Sequence, residues 1–229
     1  DGGYLNGNQI IEAAKKTGAQ AIHPGYGFLS ENASFARKVK KENIIWIGPS
    51  PNVISVMGDK LKAKELAFKA DVPTLPMTSK PNEAKKIGYP LLIKAAAGGG
   101  GKGMRIVDKE KDLKESIISA QREAKSGFND ERIFIERYVE KSRHIEIQIL
   151  GDSFGNIVHL GERECSIQRR HQKIIEESPS PRISDEVRKN MGDAAVKLAK
   201  QIKYESAGTV EFLFDDKTEE FWFLEVNTR

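Results

Sequence analysis

Residues 97–104 read Ala-Gly-Gly-Gly-Gly-Lys-Gly-Met, and this run constrains the chain more than any other feature. Four consecutive glycines carry no Cβ, so their backbone N–H groups can wrap a polyanion such as a phosphate. The run lies between two short apolar segments, 90–94 and 104–107, each with strand composition. Linkers are not usually flanked by strands this closely, so a strand, glycine loop and strand covering phosphates is the better reading. Two other phosphate loops fail. Gly98, Gly100 and Gly103 have dinucleotide-fingerprint spacing, but that fingerprint needs a helix next, and 104–107 reads as strand. A P-loop needs Ser or Thr after its lysine, whereas Gly103 follows Lys102 and Ala96 stands where the first glycine belongs.

The rest of the 229 residues supplies a scaffold of one large or two small domains, 38% hydrophobic and 31% charged. No apolar stretch approaches the roughly 18 residues needed to cross a bilayer, so no membrane role is expected. One cysteine, Cys165, permits no internal disulfide and fits a reducing compartment. Helix signals at 8–16 and 32–41 alternate with strands at 21–22 and 44–47, which predicts a parallel sheet. A single helix is expected from about 52 to 69, stopped by Pro73. Residues 72–138 read as a small α+β lid. Beyond it come strands at 144–150 and 156–160, a loop, a helix over 185–202, and an antiparallel hairpin turning at 215–219. The fold class is therefore α/β with an α+β lid.

Three groups of polar residues could serve a nucleotide. Lys60 and Lys94 are point charges suited to phosphate oxygens. Period-two alternation on the last strand places Phe221, Phe223, Glu225, Asn227 and Arg229 on one face. Glu211 interrupts the apolar partner strand, where burial is costly unless a cation compensates, and Mg²⁺ favours such hard oxygen ligands. The segment Gln168-Arg169-Arg170-His171-Gln172-Lys173 is expected to be a loop rich in anion donors. Nucleic acid is disfavoured as its partner: no aromatic residue interleaves the cluster, and Glu162, Glu164, Glu176 and Glu177 flank it. His144, Glu146 and Gln148 share one strand face. His144 either contacts a nucleotide or is structural, whereas His23 and His159 read as structural and Cys165 as a buried, inert thiol.

Taken together, HPGYGFLSEN (23–32), MGDK (57–60), IKAAAGGGGKGM (93–104), RHIEIQ (143–148), ERECSIQRRHQK (162–173), EESPSP (176–181), AGTVEFLF (207–214) and FLEVNTR (223–229) resemble the biotin carboxylases of the ATP-grasp superfamily. The resemblance runs in order along essentially the whole chain. It is nearest in character to the biotin-containing subunit of acyl-CoA carboxylases, propionyl-CoA carboxylase in particular. It implies ATP-dependent carboxylation of biotin by bicarbonate through carboxyphosphate. Carried over, Lys60, Lys94, Gly100, Gly101 and Met104 would hold ATP with the hinge Glu136, Arg137, Tyr138 and Val139, and with His144, Gln168 and His171. Glu211, Glu225 and Asn227 would ligate Mg²⁺ or Mn²⁺, and Lys173 and Arg229 would serve catalysis as bicarbonate ligands.

The resemblance also implies an architecture. Residues 1–57 would be the C-terminal part of an incomplete N-terminal parallel-sheet domain, 58–71 a connecting helix, 72–138 the glycine-loop lid and 139–229 the first part of an antiparallel-sheet metal-binding subdomain. Relatives continue with a Gln-Val-Glu-His segment bearing the general base, so the chain is expected to be a fragment that keeps ATP contacts without turnover. Implied partners are a biotin carboxyl carrier domain, a carboxyltransferase subunit and a second copy of the chain, in the mitochondrial matrix of a eukaryote or the bacterial cytoplasm. The alternatives are another ATP-grasp ligase, such as one making carbamoyl phosphate, and a non-catalytic ATP-binding fragment.

Overall fold

The computed structural model describes residues 3–98, 101 and 103–229. After a short 3-10 turn at Gly3–Leu5 come α1 (Gly7–Thr17), β1 (Ala21–Ile22), α2 (Ala33–Lys41) and β2 (Ile45–Trp46). Asn6 and Asn32 cap the two helices by accepting from the N–H groups of Gln9 and Phe35, satisfying donors that a helix start leaves free. β1 and β2 pair in parallel, as the helix and strand alternation predicts. Phe35, Val39 and Trp46 form the core of this unit.

The expected single helix over 52–69 is two helices, α3 (Pro51–Met57) and α4 (Lys60–Lys69). Gly58 ends the first, and the Asp59 carboxylate restarts the chain by accepting from the N–H groups of Leu61 and Lys62. An N-cap residue has non-helical dihedrals, so Asp59 forces a break that hydrophobic periodicity alone runs straight through. The break points the first turn of α4, with Lys60, at the end of the lid, where the Lys60 N–H donates to the Ala96 carbonyl at 3.0 Å.

The lid comprises β3 (Met77–Thr78), α5 (Ala84–Ile87), β4 (Leu91–Ala95), β5 (Arg105–Val107), α6 (Leu113–Phe128) and β6 (Ile133–Arg137). Its four strands run antiparallel in the order β3-β6-β4-β5. Leu91, Ile93 and Ile135 pack against Ile117 and Ala120 of α6.

The last unit is a five-stranded antiparallel sheet ordered β11-β10-β7-β8-β9, from β7 (Ser142–Gly151), β8 (Ile157–Arg169), β9 (Gln172–Glu177), β10 (Ser206–Asp215) and β11 (Phe221–Thr228), with α7 (Asp185–Gln201) against one face. Ile145, Ile147 and Ile149 of β7 point into this core and are fully buried, each worth about 1.5–3 kcal/mol of apolar transfer. The opposite face of β7 carries His144, Glu146 and Gln148, as alternation requires.

Two sequence expectations change here. Residues 168–173 are the tip of a β8–β9 hairpin rather than a loop. Arg170 and His171 both take positive φ (51° and 62°), the conformation of a two-residue turn whose twist matches the strands, with Arg169 opposite Gln172. The signal was weak because neither turn residue is glycine or asparagine. On β11 the expected five-residue face does not exist. Glu211 pairs with Glu225 but Phe212 pairs with Phe223, so Leu224 is an extra residue and the alternation inverts there. Phe223 lies in the core with Phe212, whereas Glu225, Asn227 and Arg229 turn to the other face with Glu211.

Candidate functional site

The lid sheet, the start of α4 and the polar face of the five-stranded sheet enclose a cavity of about 900 Å³. Lys60, Lys94, Gly101, Met104, Glu136, Arg137, Tyr138, Val139, His144, Gln168, His171, Lys173, Glu211, Glu225, Asn227 and Arg229 all line it. Every described residue proposed from the sequence is thus brought to one place; Gly100 lies outside the described residues.

One end is cationic. Lys60 enters from the first turn of α4 with its ammonium 3.9 Å from the Glu225 carboxylate, and Lys94 enters from β4. Burial lowers the Lys60 pKa, Glu225 opposes that shift, and Lys94 adds to it. Glu136 sits between Lys94 and Lys64, paired with both and wholly buried. Burial works to raise its pKa, but the two lysines outweigh it and hold the carboxylate at about 2. Lys64 was not foreseen, because in sequence it is one of many lysines on a helix.

The floor is acidic. Asn227 donates from Nδ2 to Glu211 at 2.7 Å and to Thr209 Oγ1 at 3.1 Å. Lys173 bridges two carboxylates, at 2.5 Å from Glu146 and 2.6 Å from Glu211. Burial acts to lower the Lys173 pKa, yet Glu211 and Glu146 raise it overall. Burial likewise acts to raise Glu146, but Lys173 and Arg163 bring it below the ordinary carboxylate range. Glu211 goes the other way: burial, then the Glu225 charge, raise it despite Lys173.

The donor set fits a divalent hard cation. Two carboxylates and an amide converge, Asn227 is left with its carbonyl oxygen to offer, and the burial and the Glu225 charge that raise Glu211 are both costs a bound cation offsets. Among the described residues the other cluster of metal-type ligands is Glu146, Cys165 and Glu176. Burial, with Glu146 adding, pushes the Cys165 thiol up to about 12, which makes it a poor ligand and an inert nucleophile.

The hairpin tip comes up against Gly101. Gly101 has φ +75°, and a Cβ there would stand 2.2 Å from His171 Cδ2, so only glycine allows this approach. Gln168 donates to the Cys165 carbonyl at 2.9 Å. Burial, then Lys94 and Lys173, lower the His144 pKa to about 4, so its imidazole is neutral at physiological pH. Glu162 and Glu164, read from sequence as flanking charges, are buried and engaged by Arg188 and Arg143. At the far rim Arg229 lies 3.4 Å from Glu31, and its N–H donates to the Tyr204 hydroxyl at 3.1 Å. Glu31, Arg163 and Tyr204 are site-supporting residues that the sequence reading missed.

Two antiparallel sheets closing a glycine-loop lid over lysines and carboxylates are the arrangement of the ATP-grasp fold. Residues 59–229 match the family model of the carbamoyl-phosphate synthase L chain ATP-binding domain, and residues 1–54 match that of the biotin carboxylase N-terminal domain. The chain therefore belongs to the biotin carboxylases within that superfamily. It is 55% identical to the mitochondrial methylcrotonoyl-CoA carboxylase subunit alpha of Dictyostelium discoideum, over 99% of this chain and 33% of the relative. It is 53% identical to the mitochondrial propionyl-CoA carboxylase alpha chain of Homo sapiens, over 99% and 32%. Among solved structures it resembles a Campylobacter jejuni biotin carboxylase complex with β,γ-ATP, with TM-score 0.95, 50% identity and coverage of 99% of this chain and 52% of that one. The chain spans about a third to a half of the length of these relatives.

Proposed function

We propose that this chain forms the ATP site of a biotin carboxylase, which carboxylates biotin with bicarbonate through carboxyphosphate. The observation that carries the reading is the convergence of every described candidate on one cavity, where the lysines and carboxylates meet, Lys60 lying 3.9 Å from Glu225 and Lys173 2.6 Å from Glu211. Lys60 and Lys94 bind and orient the phosphates, and the Gly101–His171 contact shields them from water. The hinge strand 136–139 takes the adenine, flanked by neutral His144 and by Gln168. Glu211, Glu225 and Asn227 would hold Mg²⁺ or Mn²⁺, and such a cation would supply charge neutralisation for phosphoryl transfer. Lys173 and Arg229 are the anion-orienting groups for bicarbonate, and stabilising developing negative charge is the largest contribution such residues make.

The finer assignments rest on resemblance. Propionyl-CoA is one acyl acceptor for the assembled enzyme, and the methylcrotonoyl-CoA relative supports another equally well. A biotin carrier domain, a carboxyltransferase and a second copy are the partners, with the matrix or bacterial cytoplasm as location. Domain limits of 1–57, 58–71, 72–138 and 139–229 belong to the same proposal. The test is calorimetric titration of a non-hydrolysable ATP analogue with Mg²⁺ into wild type, Glu211→Gln and Lys94→Ala. Micromolar, Mg²⁺-dependent binding lost in both variants supports the reading, and no binding to folded wild type sinks it.

A further inference from the structure

Lys64 touches no part of the cavity, yet it is only 2% exposed and its ammonium lies 2.8 Å from Glu136 Oε2. The other oxygen of that carboxylate pairs with Lys94, which does line the cavity. Among the described residues neither Glu136 oxygen meets a donor other than these two ammonium groups. Lys64 Nζ is also 3.5 Å from the Phe223 carbonyl and 5.9 Å over the Phe134 ring, so it is locked from every side.

A buried ion pair is a poor stability device, since desolvation offsets most of its attraction, and a Lys–Glu–Lys row needs another reason. Charge counting supplies one. Lys94 with Glu136 alone would be a neutral pair, and its field at the cavity would be cancelled within a few ångströms. With Lys64 on the far side of the carboxylate, the row carries a net single positive charge, and its cavity-facing end is Lys94. We propose that Lys64 is a positioning residue that neutralises Glu136 from behind, leaving the Lys94 charge free to attract a polyphosphate. Lys64 thus acts through Lys94 and never meets the ligand. The proposal rests on the nucleotide reading above.

The test uses tripolyphosphate, ATP and adenosine as ligands, in calorimetric titrations of the protein after thermal melts establish that each variant is folded. Lys64→Met should weaken ATP and tripolyphosphate at least tenfold and adenosine less than twofold, while Lys64→Arg stays within threefold of wild type. The double variant Lys64→Met/Glu136→Gln removes both charges and should regain most of the lost affinity. Unchanged ATP affinity in Lys64→Met, an equal loss for adenosine, or no recovery in the double variant overturns the proposal. Should Lys64→Met not fold, Lys64→Gln, which removes the charge but keeps a polar donor beside Glu136, takes its place with the same expected losses, and unchanged tripolyphosphate affinity in it overturns the idea. If wild type binds neither ATP nor tripolyphosphate, the nucleotide reading falls and takes this inference with it. A failure confined to the variants belongs to the inference alone.

Discussion

Glu211 and Glu225 are direct cross-strand partners on β10 and β11, two carboxylates facing each other with the bulged Leu224 immediately beside them. Like charges opposite one another destabilise a ladder, and here burial intensifies the effect on Glu211. The arrangement makes sense as a site whose own repulsion is relieved by a ligand.

Mg²⁺ with an ATP analogue should therefore raise the thermal midpoint of wild type, since a ligand at 100 times its dissociation constant adds about 2.7 kcal/mol. Glu225→Gln removes the repulsion on Glu211 but also the carboxylate 3.9 Å from Lys60, so without ligand it should melt close to wild type, and it should show little further rise with Mg²⁺. Differential scanning fluorimetry with and without each ligand checks both halves.

Gly101→Ala should weaken nucleotide binding on the order of tenfold, for two separable reasons. The added Cβ collides with His171, and φ of +75° costs a non-glycine residue about 1–2 kcal/mol. Removing the imidazole in Gly101→Ala/His171→Ala relieves the collision and leaves the backbone strain. Partial recovery in the double variant is the expected outcome, measured as analogue affinity against each single change.

His144 gives a pH dependence with a definite sign. Its pKa is about 4 in the folded protein against 6.5 ordinarily, so on acidification the unfolded chain takes the proton first. Stability from this group is full above pH 6.5 and is lost as pH falls towards 4, by at most about 3 kcal/mol. Denaturant unfolding at pH 7 and pH 5 should show a larger loss for wild type than for His144→Gln, which has no proton to gain.

Cys165 should resist alkylation by iodoacetamide at pH 8 in the native protein and react fully once unfolded in guanidinium. Its thiol is buried, and a pKa pushed up to about 12 leaves almost no thiolate. Mass spectrometry of the two reactions reads the difference directly.

Much of the site was legible because its chemistry sits in contiguous motifs: the glycine run, the Lys60 signature and the acidic last strand each announce a polar function inside apolar surroundings. What escaped depends on relations between distant segments. Lys64 and Glu136 are ordinary residues of a helix and a strand until folding brings them to 2.8 Å. The inversion at Leu224 arises from register with β10, which period-two counting along one strand cannot contain. The Gly58–Asp59 break was readable in principle, since an aspartate before a helical run is a capping signal, but unbroken periodicity on either side masked it.

Tyr204 is the last residue of that hidden kind, and it carries a prediction for the rim of the site. Its hydroxyl donates to the Ala207 carbonyl at 2.9 Å and accepts from the Arg229 N–H at 3.1 Å, while its ring is buried in the main core. Tyr204→Phe keeps the ring and strands both backbone partners, which should cost about 1–3 kcal/mol. The loss should appear in denaturant unfolding with an unchanged m-value, because the surface exposed on unfolding is nearly the same. Arg229 would also lose the contact that fixes its backbone, so an anion-dependent signal assigned to Arg229 should weaken in Tyr204→Phe while Mg²⁺-dependent nucleotide binding, which rests on Lys60, Lys94 and Glu211, persists. Equal loss of both would show that Tyr204 supports the whole sheet rather than the rim.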